Sequence, residues 1–350
     1  VSLLLAGIAW WVSGDPVRFA EVLVLATPCP LLIAAPVAFM GGMSRAARDG
    51  IIVKGGGTLE QLARTRTVAF DKTGTLTYGQ PALDAVNPVP PLTANELLSL
   101  AASAEQYSSH VLAASVLAAA EARGLSLQKA ATAQEHATHG VLAELPEGTV
   151  AVGKRRFVSE NATGVEPATL HSGQLAIYVS VAGKFAGTIV MSDQLRGNAG
   201  ATVARLRNLG VSESMILTGD AQATADHVAA ELGITQVRAE CLPGQKVAAV
   251  QQAKRRPLLM VGDGVNDAPV LAAADVGVAM GARGSTAASE SADVVIMTDD
   301  ISRVARAVEI GRRTLRIALQ SIWIGIALSV VLMGIAAFGY IPAIAGAATQ

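Results

Sequence analysis

Two long stretches without a single charge constrain this chain more than any other feature. Val22 to Ser44 and Ile317 to Tyr340 contain no Asp, Glu, Lys or Arg. About 20 apolar residues are enough for a helix to cross a bilayer, and a buried helix of a soluble protein seldom stays uncharged for so long. Both stretches are therefore expected to span a membrane. Val1 to Ser13 is uncharged too but is too short to cross as it stands, and Ile341 to Gln350 opens another apolar segment that stops before it could cross. Residues 1–13 lack the basic start of a secretory signal. The chain starts at Val1 rather than Met and stops inside an apolar run, so it reads as a piece of a larger protein.

The flanking charges set an orientation. Arg45, Arg48, Lys54, Arg64 and Arg66 follow the first long stretch, and Arg303, Arg306, Arg312, Arg313 and Arg316 precede the second. Positive residues stay on the cytoplasmic side, which puts residues 45–316 there, as an insert between membrane segments of a multi-pass protein, with the plasma membrane the expected location. Only 16% of the residues are charged, against about 25% in an average soluble domain. That composition fits a mixture of lipid-embedded and soluble parts. A net charge of −1 gives no reason to expect nucleic acid, and Cys29 and Cys241, the only cysteines, exclude a disulfide scaffold.

Within the insert, three apolar runs end at acidic, glycine-containing loops. Val68 to Phe70 leads into Asp71, Met215 to Leu217 into Thr218-Gly219-Asp220, and Leu258 to Val261 into Gly262-Asp263-Gly264. Helical patterns cover 199–209, 222–232 and 244–254. Such alternation predicts an α/β fold with a parallel sheet, and ligands of these sheets bind at the carboxyl ends of the strands. Asn87-Pro88-Val89-Pro90-Pro91 reads as a linker, because proline stops both helix and sheet. After it come an Ala/Leu-rich helical region (94–122) and alternating strands at 175–181 and 185–190, together an inserted domain over roughly 91–188.

Asp71-Lys72-Thr73-Gly74-Thr75-Leu76-Thr77 places a carboxylate at a strand end beside a lysine and hydroxyls, an arrangement suited to nucleophilic attack on phosphorus. Asp263 and Asp267 offer the oxygen ligands that Mg²⁺ prefers. Lys246 and Thr218 could neutralise and hydrogen-bond the oxygens of a transferring phosphoryl group.

The heptapeptide Asp71 to Thr77 resembles the phosphorylation signature of P-type ATPases, built on the haloacid-dehalogenase-like fold. Thr218-Gly219-Asp220, Pro243-Gly244-Gln245-Lys246 and Gly262-Asp263-Gly264-Val265-Asn266-Asp267-Ala268-Pro269 complete the family's set in its usual order. The resemblance covers essentially the whole chain. It implies that Asp71 becomes an aspartyl-phosphate and that Mg²⁺ is held by Asp71, the Thr73 carbonyl and Asp263, supported by Asn266 and Asp267. It also implies that Lys246 and Thr218 grip the phosphoryl group, with Lys72, Gly219 and Asp220 completing the site. Related phosphatases carry a second Asp where Thr73 stands. A threonine cannot shuttle protons near pH 7, so the phospho-enzyme is expected to be long-lived, as a pump requires.

Heavy-metal-transporting members read ATP through a Glu, a Ser-Glu-His-Pro element and a Gly-x-Gly loop. By resemblance Glu105, His110 and Gly140 would contact ATP, with Ser109, Val111 and Thr138 departing from the pattern, and Asp193 and Arg196 match the family's Asp-x-x-Arg. The plainer reading of the last two is a surface ion pair. Thr27-Pro28-Cys29-Pro30 places a thiol at a proline break in a membrane segment, where freed carbonyls can face a pathway. Cys29, with Thr27, is the expected ligand for a transported transition-metal ion. The motif resembles that of the Thr-Pro-Cys group of these transporters, which implies cobalt, nickel, iron or zinc, with copper less favoured. Gln320 is a further candidate for lining the path.

The expected organisation is a transmembrane hairpin over 1–44 with its first helix truncated, a phosphorylation domain over 45–90 and 189–302, and a nucleotide-binding domain over 91–188. A transmembrane helix and the start of another would cover 303–350. Missing by resemblance are the actuator domain and other membrane helices, remaining parts of the same polypeptide. The rival readings are a membrane-tethered phosphatase of the same superfamily and a non-catalytic metal-binding membrane protein.

Overall fold

A computed structural model of the chain describes residues 2–26, 29–108, 111–136, 139–171, 173–263, 267–281 and 290–341; the side chains of 29–32 and 111 lie outside the description. In chain order the elements begin with α1 (Ser2–Ser13), α2 (Pro16–Leu25), α3 (Cys29–Arg48), β1 (Ile51–Val53), α4 (Gly56–Arg64), β2 (Thr67–Asp71) and β3 (Thr77–Pro88). There follow α5 (Ala94–Glu105), α6 (Val111–Ala122), β4 (Ala133–His136), β5 (Gly140–Leu145), β6 (Gly148–Gly153), α7 (Arg155–Asn161), β7 (Gln174–Val181) and β8 (Lys184–Leu195). The last part holds α8 (Ala199–Asn208), β9 (Glu213–Leu217), α9 (Gln222–Leu232), β10 (Gln236–Arg238), α10 (Pro243–Gln251), β11 (Leu258–Gly262), α11 (Ala268–Ala273), β12 (Val276–Met280), β13 (Val294–Ile296) and α12 (Ser302–Ala337).

A seven-stranded sheet has the order β1-β13-β12-β11-β2-β9-β10. β9 and β10, β11 and β12, and β12 and β13 pair in parallel, while β1 runs antiparallel to β13. Every residue of β2, β11 and β12 is buried, which is why these strands read as unbroken apolar runs rather than alternating ones. The strands and helices expected around the three acidic loops are present.

Contacts divide the chain into two compact units. One comprises Val1–Ala69, Ala201–Ser214 and Val247–Gln350; the other comprises Phe70–Gly200 and Met215–Lys246. In the first, α12 is the one described helix long and apolar enough to cross a membrane. Its 36 residues reach about 54 Å at 1.5 Å per residue, well beyond a hydrocarbon core of about 30 Å. Its basic N-terminal part packs on α4 through Gly311, where an added Cβ would lie 2.8 Å from the Leu59 carbonyl oxygen. Its far end packs with α1 and α2 through Ala6, Ala9, Val22, Leu25, Met333 and Ala336, small residues among them allowing close approach.

The proline break expected within Val22 to Ser44 falls between two described helices; Thr27 and Pro28 themselves lie outside the described residues. α2 closes at Ala26, whose N–H bonds the Leu23 carbonyl, and α3 starts at Cys29. Pro28 and Pro30 explain the break: each removes a backbone donor and disfavours helix at the residue before it.

In the second unit a six-stranded antiparallel sheet has the order β3-β8-β7-β6-β5-β4. Leu97, Leu98 and Ala101 of α5 and Val116 and Ala120 of α6 cover one face, meeting Val150, Val152, Ile177, Val179, Ile189 and Met191. Phe157 and Val158 of α7 cover the other, against Ala151 and Tyr178, as alternation along a strand requires. A capping box starts α5: Thr93 N–H donates to Glu96 at 2.7 Å and Glu96 N–H to the Thr93 hydroxyl at 3.3 Å.

The proline-rich segment expected as a linker is strand in its first part. β3 runs through Asn87 and Pro88, opposite Thr188 and Gly187. Pro88 ends the strand, a position that tolerates a missing N–H. The antiparallel sheet thus begins at Thr77 and ends at Leu195, wider than the 91–188 expected for the insert.

Candidate active site

Asp71 is the last residue of β2 and is 7% exposed. Lys246, in the first turn of α10, places its Nζ 2.5 Å from Asp71 Oδ1, with side-chain exposures of 14% and 10%. A second pair stands in the same unit: Lys72 Nζ lies 2.5 Å from Asp220 Oδ2. Thr218 is buried at the end of β9, and its hydroxyl accepts the Asp220 N–H at 3.1 Å. The Thr218 backbone is held on both sides, N–H to the Arg238 carbonyl and carbonyl to the Cys241 N–H. Gly219 stands between, where an added Cβ would lie 3.6 Å from the Cys241 carbonyl oxygen. The structure therefore brings Asp71 to Lys246 and Lys72 to Asp220; little solvent screens the first pair, whereas Asp220 of the second is 37% exposed.

The segment after Asp71 leaves the strand at Thr73 (ψ 130°) and turns at Gly74, whose φ of +73° favours glycine. Residues from the end of β8 hold this turn. Asp193 accepts the Thr77 hydroxyl at 2.6 Å and the Gly79 N–H at 3.0 Å. Arg196, 5% exposed, donates to the carbonyls of Gly74, Thr75 and Thr77 at 3.3, 2.9 and 3.1 Å. Its guanidinium lies 4.9 Å from the centre of the Tyr78 ring, within cation–π range. That burial does not fit the surface ion pair. Asp193 and Arg196 fasten the loop that carries Asp71.

In the other unit Asp263 directly follows β11, and Asp267, 3% exposed, caps α11, its carbonyl accepting the N–H groups of Val270 and Leu271. Asn266 lies outside the described residues. Among the described residues no three His, Cys, Asp or Glu side chains converge into a metal cluster. Mg²⁺ needs no such cluster, since it is usually held by one or two carboxylates, waters and substrate phosphates. The Asp71 carboxylate and the Thr73 carbonyl are oxygen donors of the hard kind that Mg²⁺ takes.

Glu105 and Gly140 line one cavity in the second unit, together with Glu135, His136, His139 and Lys154. Burial pushes the Glu105 carboxyl up to about 7, opposed by a hydrogen bond from Ser108 and aided by the charge of Glu135. Its Oε2 is buried without a hydrogen-bond partner, as is His136 Nε2, so both are available to a ligand. At Gly140 an added Cβ would come 2.6 Å from the Phe157 ring. Sequence reasoning missed Glu135, His136, His139 and Lys154; their signal was nearness to Gly140 and to Gly153, on the paired strands β5 and β6. His110, Thr138 and Thr27 lie outside the described residues, as does the Cys29 side chain.

Comparison with known proteins bears on the same residues. The family model described as haloacid dehalogenase-like hydrolase matches residues 65–275. A cadmium, zinc and cobalt-transporting ATPase of Bacillus subtilis is 38% identical over 96% of this chain and 48% of its own length. A probable copper-exporting P-type ATPase V of Mycobacterium tuberculosis is 37% identical over 99% of the chain and 47% of its length. A zinc-transporting PIB-type ATPase solved in its E2.Pi state has a TM-score of 0.83 at 34% identity, covering 95% of this chain and 55% of that one. The chain spans about half the length of the curated relatives it matches. It belongs to the haloacid dehalogenase-like hydrolases, and its homologues across nearly its whole length are heavy-metal P-type ATPases.

Proposed function

We propose that this chain is the catalytic part, with some of the ion path, of an ATP-driven heavy-metal transporter working through an aspartyl-phosphate on Asp71. The observation that carries the reading is the Lys246–Asp71 pair at a strand end. Asp71 Oδ forms a bond to the γ-phosphorus of ATP while the bond from that phosphorus to the ADP oxygen breaks. The Lys246 ammonium offsets the charge gathering on the transferring oxygens, and the Thr218 hydroxyl hydrogen-bonds one of them. Asp193 and Arg196 keep the Asp71 loop in place during the transfer. Mg²⁺, held by Asp71, the Thr73 carbonyl and Asp263, would supply further charge neutralisation at the phosphates. The helix-covered antiparallel sheet binds the nucleotide, with Glu105, His110 and Gly140 reading the base. Because Thr73 offers no proton shuttle, water does not readily remove the phosphoryl group, and the intermediate persists.

The transported ion is a transition-metal cation bound by Cys29 and Thr27, with cobalt, nickel, iron or zinc favoured over copper by the Thr-Pro-Cys sequence. Relatives named for cadmium, zinc and cobalt and for copper support the class. The chain sits in a bilayer through α12 and the α1–α3 segment, with the sheets on the cytoplasmic side.

Labelled ATP tests the reading. An acid-stable, hydroxylamine-labile label that Asp71→Asn abolishes is expected. Rapid phosphate release from small esters without a label would favour the phosphatase instead. On the whole transporter, a metal screen of ATP hydrolysis identifies the ion, and a normal response in Cys29→Ala would remove the ion-site assignment.

A further inference from the structure

Where α4 ends and α12 passes from its basic to its apolar part, the first unit carries a groove of about 660 Å³. Its lining combines Arg64, Arg66, Arg312 and Arg316 with Leu319, Trp323 and Ile324. Trp323 and Ile324 are 67% and 69% exposed. Arg64 pairs with Glu60 at 2.7 Å on the open surface. Arg66, Arg312 and Arg316 have no carboxylate within ion-pair distance among the described residues. The Nε of Arg312 is buried without a hydrogen-bond partner. Burial, and then the neighbouring Arg66 charge, pull the Arg312 pKa below its usual value. Cations gathered this way with unmet donors are costly unless an anion joins them.

We propose that this groove is a binding site for an anionic phospholipid, its headgroup phosphate held by Arg66, Arg312 and Arg316 and its acyl chain lying along Leu319, Trp323 and Ile324. The inference rests on the reading that α12 crosses a bilayer. Charge complementarity selects the occupant. Arginine forks suit phosphate oxygens, and Arg316 is the last charge before the uncharged run, at the depth where headgroups lie. Trp323 follows seven residues later, about 10 Å along the helix, level with the upper acyl chain. The Gln320 amide lines the same groove and can donate to the ester oxygens of the lipid. A soluble phosphate ester would leave the apolar wall uncovered.

Trp323 reports on the site directly. The chain has three tryptophans; Trp10→Phe with Trp11→Phe leaves Trp323 as the only indole. The full chain is reconstituted in phosphatidylcholine bilayers containing a minor fraction of either brominated phosphatidylglycerol or brominated phosphatidylcholine, with bromine on the acyl chains. Anionic brominated lipid is expected to quench Trp323 more than the zwitterionic one at equal mole fraction. Occupancy should gain about fivefold for each arginine engaged. Arg66→Gln with Arg316→Gln, both exposed positions, should remove the preference while leaving quenching by zwitterionic lipid in place. Equal quenching by the two lipids, or a preference that survives the double substitution, overturns the site. Inorganic phosphate that erases the preference, when chloride of equal ionic strength does not, reassigns the groove to free phosphate and overturns the lipid. Absence of quenching by either lipid instead removes the bilayer reading of α12.

Discussion

Replacing Glu105 with Gln is expected to stabilise the antiparallel-sheet domain, and to do so more as the pH rises. The Glu105 side chain is 6% exposed, and burial moves its carboxyl from 4.5 to about 7. Between those two values the folded chain keeps a proton that the unfolded chain releases, so stability falls as the pH rises through that window and levels off above it. Integrated, the penalty is about 1 kcal/mol at pH 5 and about 3 kcal/mol at pH 8. The Gln variant carries no charge there at either pH, so its advantage over the parent should grow by roughly 2–3 kcal/mol, or about seventyfold in the opening equilibrium. Hydrogen exchange in α5, measured on the full chain without nucleotide, reads that equilibrium. Taking the ratio of the Gln variant to the parent at each pH cancels the intrinsic pH dependence of exchange. A ratio that changes by less than about twofold between pH 5 and pH 8 would mean that Glu105 is already ionised when folded, and the burial argument would fail.

Three other substitutions test the architecture. Arg196→Lys keeps the charge but loses the fork that reaches three carbonyls; two lost hydrogen bonds at about 1 kcal/mol each should slow Asp71 labelling by up to about thirtyfold in rapid-quench measurements. Gly140→Ala drives a methyl group into the Val152 carbonyl oxygen of the paired strand and against the Phe157 ring, which should weaken binding of a fluorescent ATP analogue at least about tenfold yet spare Asp71 labelling by acetyl phosphate, which has no base to seat. Gly311→Ala meets the Leu59 carbonyl and the Ala63 nitrogen, backbone atoms that cannot give way as a side chain can. It should cost about 1–3 kcal/mol, seen as a lower thermal midpoint in detergent, and an unchanged midpoint would refute the close α4–α12 packing.

Much of the site was legible before any coordinates, for a physical reason. A strand buried on both faces must be apolar throughout, and an exit loop that offers oxygen ligands to Mg²⁺ must carry carboxylates. Val68 to Asp71, Met215 to Asp220 and Leu258 to Asp263 therefore announce themselves locally. The helical cover at 199–209, 222–232 and 244–254 was equally readable, since period and capping depend on near neighbours. The proline-rich segment misled because its composition resembles a linker while its backbone pairs with β8, a partner about 100 residues away. The proline break at Thr27-Pro28-Cys29-Pro30 was legible too, because proline acts on its own backbone and on the residue before it.

The order of apolar runs and acidic loops, the uncharged lengths at both ends and the candidates proposed for phosphoryl transfer were determined by the sequence itself, because each depends on the chemistry of adjacent residues. Which lysine meets which carboxylate, that Arg196 clamps carbonyls, that Glu105 is driven toward neutrality beside His136, and that Arg64 and Arg66 join Arg312, Arg316 and Trp323 in one groove were decided only by the tertiary structure. Desolvation and charge pairing are set by whatever distant segment packs alongside, and no local pattern encodes that neighbour.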